Sequence, residues 1–479
     1  MSDNTESEME DDIKRCNVDV AVIGFNKIEK TKRCVYSILK YTTGINYRLI
    51  LVDSGSSDGT LEFFQSVEYV DKTVIRLEEN RGLGYALENA WERSNSEYFT
   101  FVANDCIVTT NWLHNLLICM KSDDKIGMAC PAMSNVSNAQ SIDIGEFDTW
   151  EEMQRLAERH NMSDPVLWEE RPRLINPVSI YRGDLLGTIV KIDNGFKHNF
   201  MEDDFARAIH RAGYRMILCK DTYVEHDHPQ SDRVDEVVQR NLGEGRAYFI
   251  NKYAGIDPWD DINNYIYPYL INMDDVAIHK NACKVLGIDI KCGTPFFDIR
   301  NHLKSLVINM DELELYALTA EEKYVKDLEA FPAEVIVGDI CSEDYFGKES
   351  MDVVVTTTEI ALYKNPLDFL SRCMDAVNKG GYFLFPVGNP QSILNYLDEM
   401  IGDSKIDNTV ESLCLEEVID QLDRLGADNA WIYDERYQSG LADKLGGSVG
   451  DMIFKYIREK GVEDIDSVYI ERFWVLVKK

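Results

Sequence analysis

Four apolar runs in the first quarter of the sequence end on small polar residues that could hold a ligand. One of them, LILV, leads directly into Asp53 and the loop SGSSDGT, and the others lead to Asn26, to residues 80–84, and to Asn104 with Asp105. Carboxylate and amide oxygens can bind a divalent cation or accept hydrogen bonds from a base or ribose. Each segment alone also fits an ordinary turn that caps the next helix.

The segments between these residues indicate how they are brought together. Strand-like runs (VDVAVIGF, YRLILVD, KTVIRL, YFTFVANDC) alternate with helix-like runs (KIEKTKRCVYSILKYT, GTLEFFQSV, GYALENAWERS). Strands and helices alternating at this spacing predict right-handed βαβ units and a mostly parallel sheet. The polar strand ends should therefore lie along one edge of one sheet.

Composition narrows the class of protein. The 479 residues predict two to four domains, and 84 acidic against 50 basic residues give a formal charge of -34, which disfavours nucleic acid and anionic membranes as partners. There is no apolar run of about 18 residues and the N-terminus does not resemble a signal peptide, so we expect a cytoplasmic protein without an integral membrane segment.

Eleven cysteines without a CxxC pair indicate reduced thiols. Residues 1–14 are acidic and are expected to be a disordered tail.

The motifs IGFN, VDSGSSDGT, ENRGLGYALENA, FVANDCIVTTNWL, FMEDDFARAIHRAGYR and VEHDH follow one another in this order. Together they resemble the family 2 glycosyltransferases, inverting enzymes with the GT-A fold, over about residues 18–255. The resemblance implies an α/β domain at 15–255 with a Rossmann-like mixed sheet. It also implies transfer of a sugar from a nucleotide diphosphate donor to a hydroxyl of a soluble protein or glycan acceptor.

The resemblance assigns a divalent cation, Mg²⁺ or Mn²⁺, to Asp105. Ala103 stands where the family's DxD motif has its first aspartate, and Asn104 precedes Asp105, as in an Asn-Asp variant of the motif. The family's late histidine matches His226 better than His228, so His226 is the second predicted metal contact. Alternatively, Asp105 caps the following turn.

The catalytic base is predicted among three consecutive acids, Glu202, Asp203 and Asp204. The family's Glu-Asp motif assigns the base to Asp203, whereas an ungapped count back from Gly213 assigns it to Glu202. We take Asp203 as the predicted base and Glu202 as the alternate. Three acids at a helix start also complement the helix dipole without any catalytic role.

The donor pocket implied by the family is formed by residues at the strand ends. Asp53 is expected to contact the base or ribose, and Arg81 a phosphate. The complete predicted donor set is Asn26, Asp53, Asn80, Arg81, Gly82 and Asn104.

An insertion at about 133–180 is expected to shape the acceptor site. Trp150, Trp168 and Tyr181 are candidates for stacking on a sugar or peptide, and core packing is the alternative for each of them.

The alternation of strands and helices restarts after a linker predicted at 256–280. Residues 281–479 resemble a class I methyltransferase fold, which is doubly wound with an antiparallel last strand. Asp339, Pro366, Gly380 and Gly381 occupy positions where that fold has its landmarks, and the final segments NAWIYDERY and SVYIERFWVLVKK predict the antiparallel pair.

Two positions that bind S-adenosylmethionine in class I methyltransferases carry other residue types in this second domain. Pro295 stands where the glycine-rich turn needs a late glycine, and Thr319 stands where an acid normally holds the cofactor ribose. We therefore expect a domain without methyl transfer that helps to bind the acceptor or to form a homo-oligomer. Two further hypotheses are a bifunctional glycosyltransferase and methyltransferase of surface polysaccharide synthesis, and a non-catalytic scaffold that binds a sugar nucleotide or glycan.

Overall fold

The computed structural model describes residues 11–196, 199–228, 236–261, 265–273, 283–306, 313–343, 345–401, 413–436, 455–460 and 465–479. The chain forms two compact units, Met1–Asn263 and Asn264–Lys479, so the linker predicted at 256–280 is divided between them. Residues 1–10 of the predicted tail lie outside the described residues, whereas residues 11–15 are helical and Ile13 is buried. Within the described residues, no helix is both long and apolar enough to span a membrane.

The first unit is an α/β domain built on one large sheet. Its strands are β1 (Val18–Gly24), β2 (Tyr47–Asp53), β3 (Lys72–Arg76), β4 (Tyr98–Ala103), β5 (Cys106–Ile107), β6 (Ile126–Met133), β7 (Trp168–Glu170), β8 (Val178–Arg182) and β9 (Arg215–His226). Its helices are α1 (Ile28–Tyr41), α2 (Thr60–Ser66), α3 (Leu83–Trp91), α4 (Trp112–Ser122), α5 (Trp150–His160), α6 (Met201–Arg211) and α7 (Glu236–Lys252).

The sheet of the first unit is mixed, as the resemblance predicted. The strand order is β3-β2-β1-β4-β8-β6-β9-β5, with β7 paired to β9. The first four strands are parallel, and β8 runs antiparallel to β4. The carboxyl ends of β1, β2 and β4 therefore lie on the same edge, where the polar residues were expected.

The central strand β1 is buried on both faces, which explains its nearly continuous apolar sequence. Val20 and Val22 belong to the core that contains Cys34 of α1. Ala21 and Ile23 belong to the core on the other face, which includes the buried side of α3. Because alternate residues of a strand point to opposite faces, this pattern places helices on both sides of the sheet.

The second unit is a doubly wound α/β domain. Its strands are β10 (Cys283–Ile288), β11 (Leu313–Thr319), β12 (Ala333–Val337), β13 (Met351–Thr356), β14 (Val377–Gly388), β15 (Asn429–Arg436) and β16 (Ile470–Lys478). Its helices are α8 (Thr294–Ser305), α9 (Val325–Leu328), α10 (Pro366–Ala376), α11 (Ile393–Ile401) and α12 (Leu415–Arg424). The order β12-β11-β10-β13-β14-β16-β15, with β16 antiparallel to β14 and β15, confirms the predicted fold.

The cysteines behave as small apolar residues. All eleven are free thiols, and nine of them are buried. Burial raises the pKa of thiols such as Cys34 and Cys130, so these groups stay protonated and unreactive.

Candidate active site

A cavity of about 670 Å³ opens at the carboxyl edge of the first sheet. Ile23 and Phe25 at the end of β1 form one part of its wall, and residues 80–85 form another. Asn104, which follows β4, and Glu202, at the start of α6, contribute further polar groups to the lining. The cavity thus collects residues from segments that are far apart in the sequence, as the sheet topology requires.

Four of the six predicted donor residues line this cavity, namely Asn80, Arg81, Gly82 and Asn104. The Asn80 side-chain oxygen accepts a hydrogen bond from the Gly82 amide at 2.9 Å, which fixes the turn before α3. The Arg81 guanidinium lies over the Tyr85 ring, 4.2 Å from its centroid. The cavity therefore offers a cation, amide groups and an aromatic face to a ligand.

The other two predicted donor residues, Asn26 and Asp53, support the cavity without being part of its lining. Asp53 is fully buried, pairs with Arg76 and accepts a hydrogen bond from the Ser56 amide at 3.1 Å. The Asn26 side-chain oxygen accepts from the Ser57 amide at 3.1 Å. These contacts hold the loops after β1 and β2 in place, and the donor-binding role of the two residues stays a prediction.

Ser54 is a cavity residue that the sequence analysis did not identify. It is 3% exposed and lines the cavity, and its hydroxyl has no hydrogen-bond partner among the described residues. A buried hydroxyl without a partner costs free energy unless a ligand or water satisfies it. Its position, directly after an aspartate at a strand end, was the available sequence signal.

Gly84 allows α3 to approach the start of α6 closely. A Cβ atom at this position would lie 2.8 Å from Met201 Sδ and 3.2 Å from Ile192 Cγ2. Gly84→Ala requires the flexible Met201 side chain to shift, which offsets the higher helix propensity of alanine, so the free energy of unfolding of the first unit should change by less than about 1 kcal/mol in urea denaturation. Gly243→Ala is the matched control, because a Cβ there meets nothing within 4 Å, and it should stabilise the first unit more than Gly84→Ala does; equal gains in the two variants would contradict the steric explanation.

The three acids at the start of α6 point in different directions. Glu202 lines the cavity. Asp203 is 6% exposed and forms an ion pair with Arg173, with 2.5 Å between Oδ1 and Nη1. Asp204 is also buried and pairs with Lys252 at 2.7 Å. Successive helical residues are about 100° apart around the axis, so only one of three neighbours can face a given cavity.

Burial raises the pKa of Asp203 to about 7, against the opposing effect of the Arg173 guanidinium. This carboxyl faces the protein interior and does not line the cavity. The predicted base, Asp203, thus lies behind the site, whereas the alternate, Glu202, lies within it.

Asp105, His226 and His228 form a cluster with the composition of a metal site. One ligand atom from each lies within 4.8 Å of the other two. The Asp105 carboxylate is 3.7 Å from His226 Nε2 and 3.4 Å from His228 Nδ1. Pairing of β5 with β9 places Cys106 opposite His226, which brings the aspartate and histidines together.

The cluster fits a divalent cation. Burial lowers the pKa of His226, so its imidazole is neutral and keeps a lone pair for a metal. His226 Nδ1 is buried and has no hydrogen-bond partner among the described residues. Ala103, at the end of β4, contributes no ligand atom.

The predicted acceptor residues have unequal exposure. Trp150 is 38% exposed, and Arg33 lies 5.6 Å from the centroid of its ring. Trp168 and Tyr181 are 7% and 2% exposed and belong to the cores on opposite faces of the sheet. Core packing, the alternative to stacking on an acceptor, is therefore what the structure shows for Trp168 and Tyr181.

The second unit has a cavity of about 300 Å³ at the carboxyl edge of its own sheet. Its lining includes Asp289 after β10, Glu321 after β11 and Asp339 after β12. Lys291 also lines it, at a positive φ of 52°. The loop after β10, where the methyltransferase resemblance calls for a glycine-rich turn, therefore carries a lysine side chain at this position.

The loop after β10 does not fit S-adenosylmethionine. A Cβ on Gly293 would lie 2.5 Å from the Phe331 ring, so the space that this glycine leaves is already filled by the protein. The Asp289 carboxylate accepts hydrogen bonds from the Ala320 amide at 2.9 Å and the Tyr363 hydroxyl at 3.1 Å. The close backbone approach that the cofactor needs is thus blocked beside Gly293, and Asp289 is engaged within the protein, while Glu321 and Asp339 also line the cavity.

Residues 19–166 match the family model described as Glycosyl transferase family 2, which confirms the predicted resemblance for that segment. Polypeptide N-acetylgalactosaminyltransferase 13 of Rattus norvegicus is 30% identical over 128 residues, which are 26% of this chain and 23% of that protein. Glycosyltransferase AglE of Haloferax volcanii is 27% identical over 99 residues, which are 20% of this chain and 33% of that protein. The chain thus spans a third or less of the length of these two relatives.

Two solved structures are similar to parts of the chain. Mannosyltransferase PcManGT from Pyrobaculum calidifontis, in complex with GDP-Man and Mn²⁺, has 17% identity and a TM-score of 0.38, covering 51% of this chain and 67% of that one. A SAM-dependent methyltransferase from Archaeoglobus fulgidus has 17% identity and a TM-score of 0.32, covering 49% of this chain and 99% of that one.

Proposed function

We propose that the first unit, whose residues 19–166 match family 2 glycosyltransferases, transfers a sugar from a nucleotide diphosphate donor to an acceptor hydroxyl with inversion. The observation that carries the proposal is the shared cavity, in which Glu202 lies with Asn80, Arg81 and Asn104. Inverting displacement requires a base on the face opposite the leaving group. Glu202 takes the proton from the acceptor hydroxyl, and Asn80, Arg81 and Asn104 bind the donor.

Asp105 and His226 hold a divalent cation, Mg²⁺ or Mn²⁺, in this proposal. Such a cation, when bound, neutralises the charge that develops on the departing diphosphate. The Arg81 guanidinium contributes a second positive charge from the cavity wall. The neutral imidazole of His226 and the carboxylate of Asp105 are ligand types that suit such a cation.

The acceptor is a soluble protein or glycan. The net charge of -34 disfavours an acceptor embedded in an anionic bilayer. The exposed Trp150 ring with the neighbouring Arg33 offers a stacking surface for a sugar or peptide. These two residues are the proposed acceptor contacts in the first unit.

The proposal is tested by incubating the full chain with a panel of nucleotide sugars and either Mn²⁺ or Mg²⁺. We expect release of free nucleoside diphosphate from one donor when an acceptor is present, and loss of that release in Glu202→Gln. Calorimetric binding of a donor, without release of nucleoside diphosphate in the presence of any acceptor, would instead support the non-catalytic scaffold.

The second unit is expected not to bind S-adenosylmethionine, because the Phe331 ring occupies the space beside Gly293 and Thr319 stands where an acid normally holds the cofactor ribose. Calorimetric titration of the full chain should show no saturable binding at about 1 mM ligand, a limit that corresponds to a binding free energy of about -4 kcal/mol. Sinefungin, a stable analogue, serves as the parallel ligand. Saturable binding of either compound would support the bifunctional alternative.

A further inference from the structure

The cluster around Asp105 contains one carboxylate and two imidazoles. The two histidine rings are nearly parallel, with an interplanar angle of 9° and 5.3 Å between centroids, and both approach Asp105. Ala103 stands where the resemblance places a second carboxylate. His228 thus brings a third ligand atom to a site that has lost one.

Asp227, between the two histidines, is fixed by two cations of α1. Arg33 Nη2 lies 2.7 Å from Asp227 Oδ2, and Lys30 Nζ lies 3.5 Å from Oδ1 and also donates to the Asp227 carbonyl oxygen. The Asp227 amide donates to the Asp105 carbonyl oxygen at 2.9 Å. Lys30, Arg33 and Asp227 are hereafter called the α1 clamp.

The α1 clamp determines the direction of the histidine side chains. The His228 amide donates a hydrogen bond to the His226 carbonyl oxygen at 2.8 Å, so the chain turns at Asp227, and with the Asp227 side chain held against α1 both imidazoles lie beside Asp105. His226 is held further by Ser134, whose hydroxyl accepts a hydrogen bond from the His226 amide at 3.0 Å.

We propose that His228 replaces the missing carboxylate as the third protein ligand, that the α1 clamp positions it, and that the resulting site selects Mn²⁺ over Mg²⁺. The inference rests on the proposed function, since that function requires the cation. Mg²⁺ demands oxygen ligands in near-ideal octahedral geometry, whereas the affinity of nitrogen ligands rises along the first transition row, starting from Mn²⁺. A site with two nitrogens and one carboxylate therefore favours Mn²⁺ over Mg²⁺, which is the comparison that the proposal makes.

The ligand role of His228 is tested by Mn²⁺ binding to the full chain without donor. Electron paramagnetic resonance should show nitrogen couplings from two imidazoles, and His228→Ala should lose one of them and bind Mn²⁺ at least about tenfold more weakly. His228→Asp should bind Mg²⁺ more tightly than the wild type, since it restores an oxygen ligand. Unchanged couplings in His228→Ala would overturn the proposal.

The α1 clamp is tested by Lys30→Met and Arg33→Met, because two explanations of its role predict opposite changes in Mn²⁺ affinity. If these cations act only through their charge, their removal strengthens binding of a nearby cation. If they position His228, their removal weakens Mn²⁺ binding by about 10–100-fold. Lys32→Met is the matched control, because Lys32 lies on the same helix, pairs with the exposed Glu29 and should change affinity by less than about twofold. Stronger or unchanged Mn²⁺ binding in the clamp variants would contradict the positioning role.

Failure of this inference is separable from failure of the proposed function. Nitrogen-coupled Mn²⁺ binding without turnover of any donor would contradict the function and leave the metal site standing. Sugar transfer by a chain whose Mn²⁺ affinity is unaffected by His228→Ala would support the function and contradict the third ligand.

Discussion

Glu202→Gln is expected to lower kcat by about 10²–10⁴-fold, the usual contribution of a general base. The glutamine side chain has almost the same shape as the Glu202 carboxylate but cannot take up the proton of the acceptor hydroxyl. Because Asn80, Arg81 and Asn104 are unchanged, donor affinity should stay close to that of the wild type. The measurements are kcat with a saturating acceptor, and the donor Kd by calorimetry.

Asp203→Asn is the matched comparison, since it makes the same chemical change one residue further along α6. The Asp203 carboxyl is buried against Arg173 and does not line the cavity, so this variant should retain most of its turnover while its stability changes. If Asp203→Asn abolishes transfer and Glu202→Gln does not, the base is Asp203, as the family motif suggested.

The sequence predicted the edge of the first sheet because strand and helix periods are encoded locally. Asn80, Arg81, Gly82 and Asn104 follow apolar runs, and parallel pairing brings the ends of such runs together. The choice between Glu202 and Asp203 was not decidable in this way. It depends on the rotation of α6 about its axis, which is set by packing against distant residues such as Arg173.

Several residues predicted to contact a ligand are buried in the folded protein. Asp53 follows a strand as a ligand-binding aspartate would, but Arg76 of the neighbouring strand neutralises it inside the protein. Trp168 and Tyr181 have the composition of a stacking surface, and only the folded sheet shows that both lie in its cores. The Lys30 to Asp227 contact joins residues 197 positions apart, a separation over which no local pattern operates.

Arg173→Met is expected to lower the free energy of unfolding of the first unit by about 1–1.5 kcal/mol at pH 8, because the buried Asp203, whose pKa is about 7, must take up a proton when it loses its partner. Arg173 is 13% exposed and Asp203 6%, so water cannot replace the lost ion pair readily. The measurement is urea denaturation followed by hydrogen exchange in peptides of the first unit. The double variant Arg173→Met with Asp203→Leu should recover most of the loss, since it removes both charges.

The loss caused by Arg173→Met should also depend on pH with a defined sign. Burial raises the pKa of Asp203 to about 7 in the folded protein, above the value of about 3.9 in an unfolded chain. The folded state therefore binds this proton more tightly, and the contribution of Asp203 to stability falls as the pH rises from about 4 to about 7. Arg173 opposes that rise in pKa, so its removal raises the pKa further, and the variant should lose more stability at pH 8 than at pH 5. Equal losses at the two pH values would mean that Arg173 contributes packing and does not compensate the charge of Asp203.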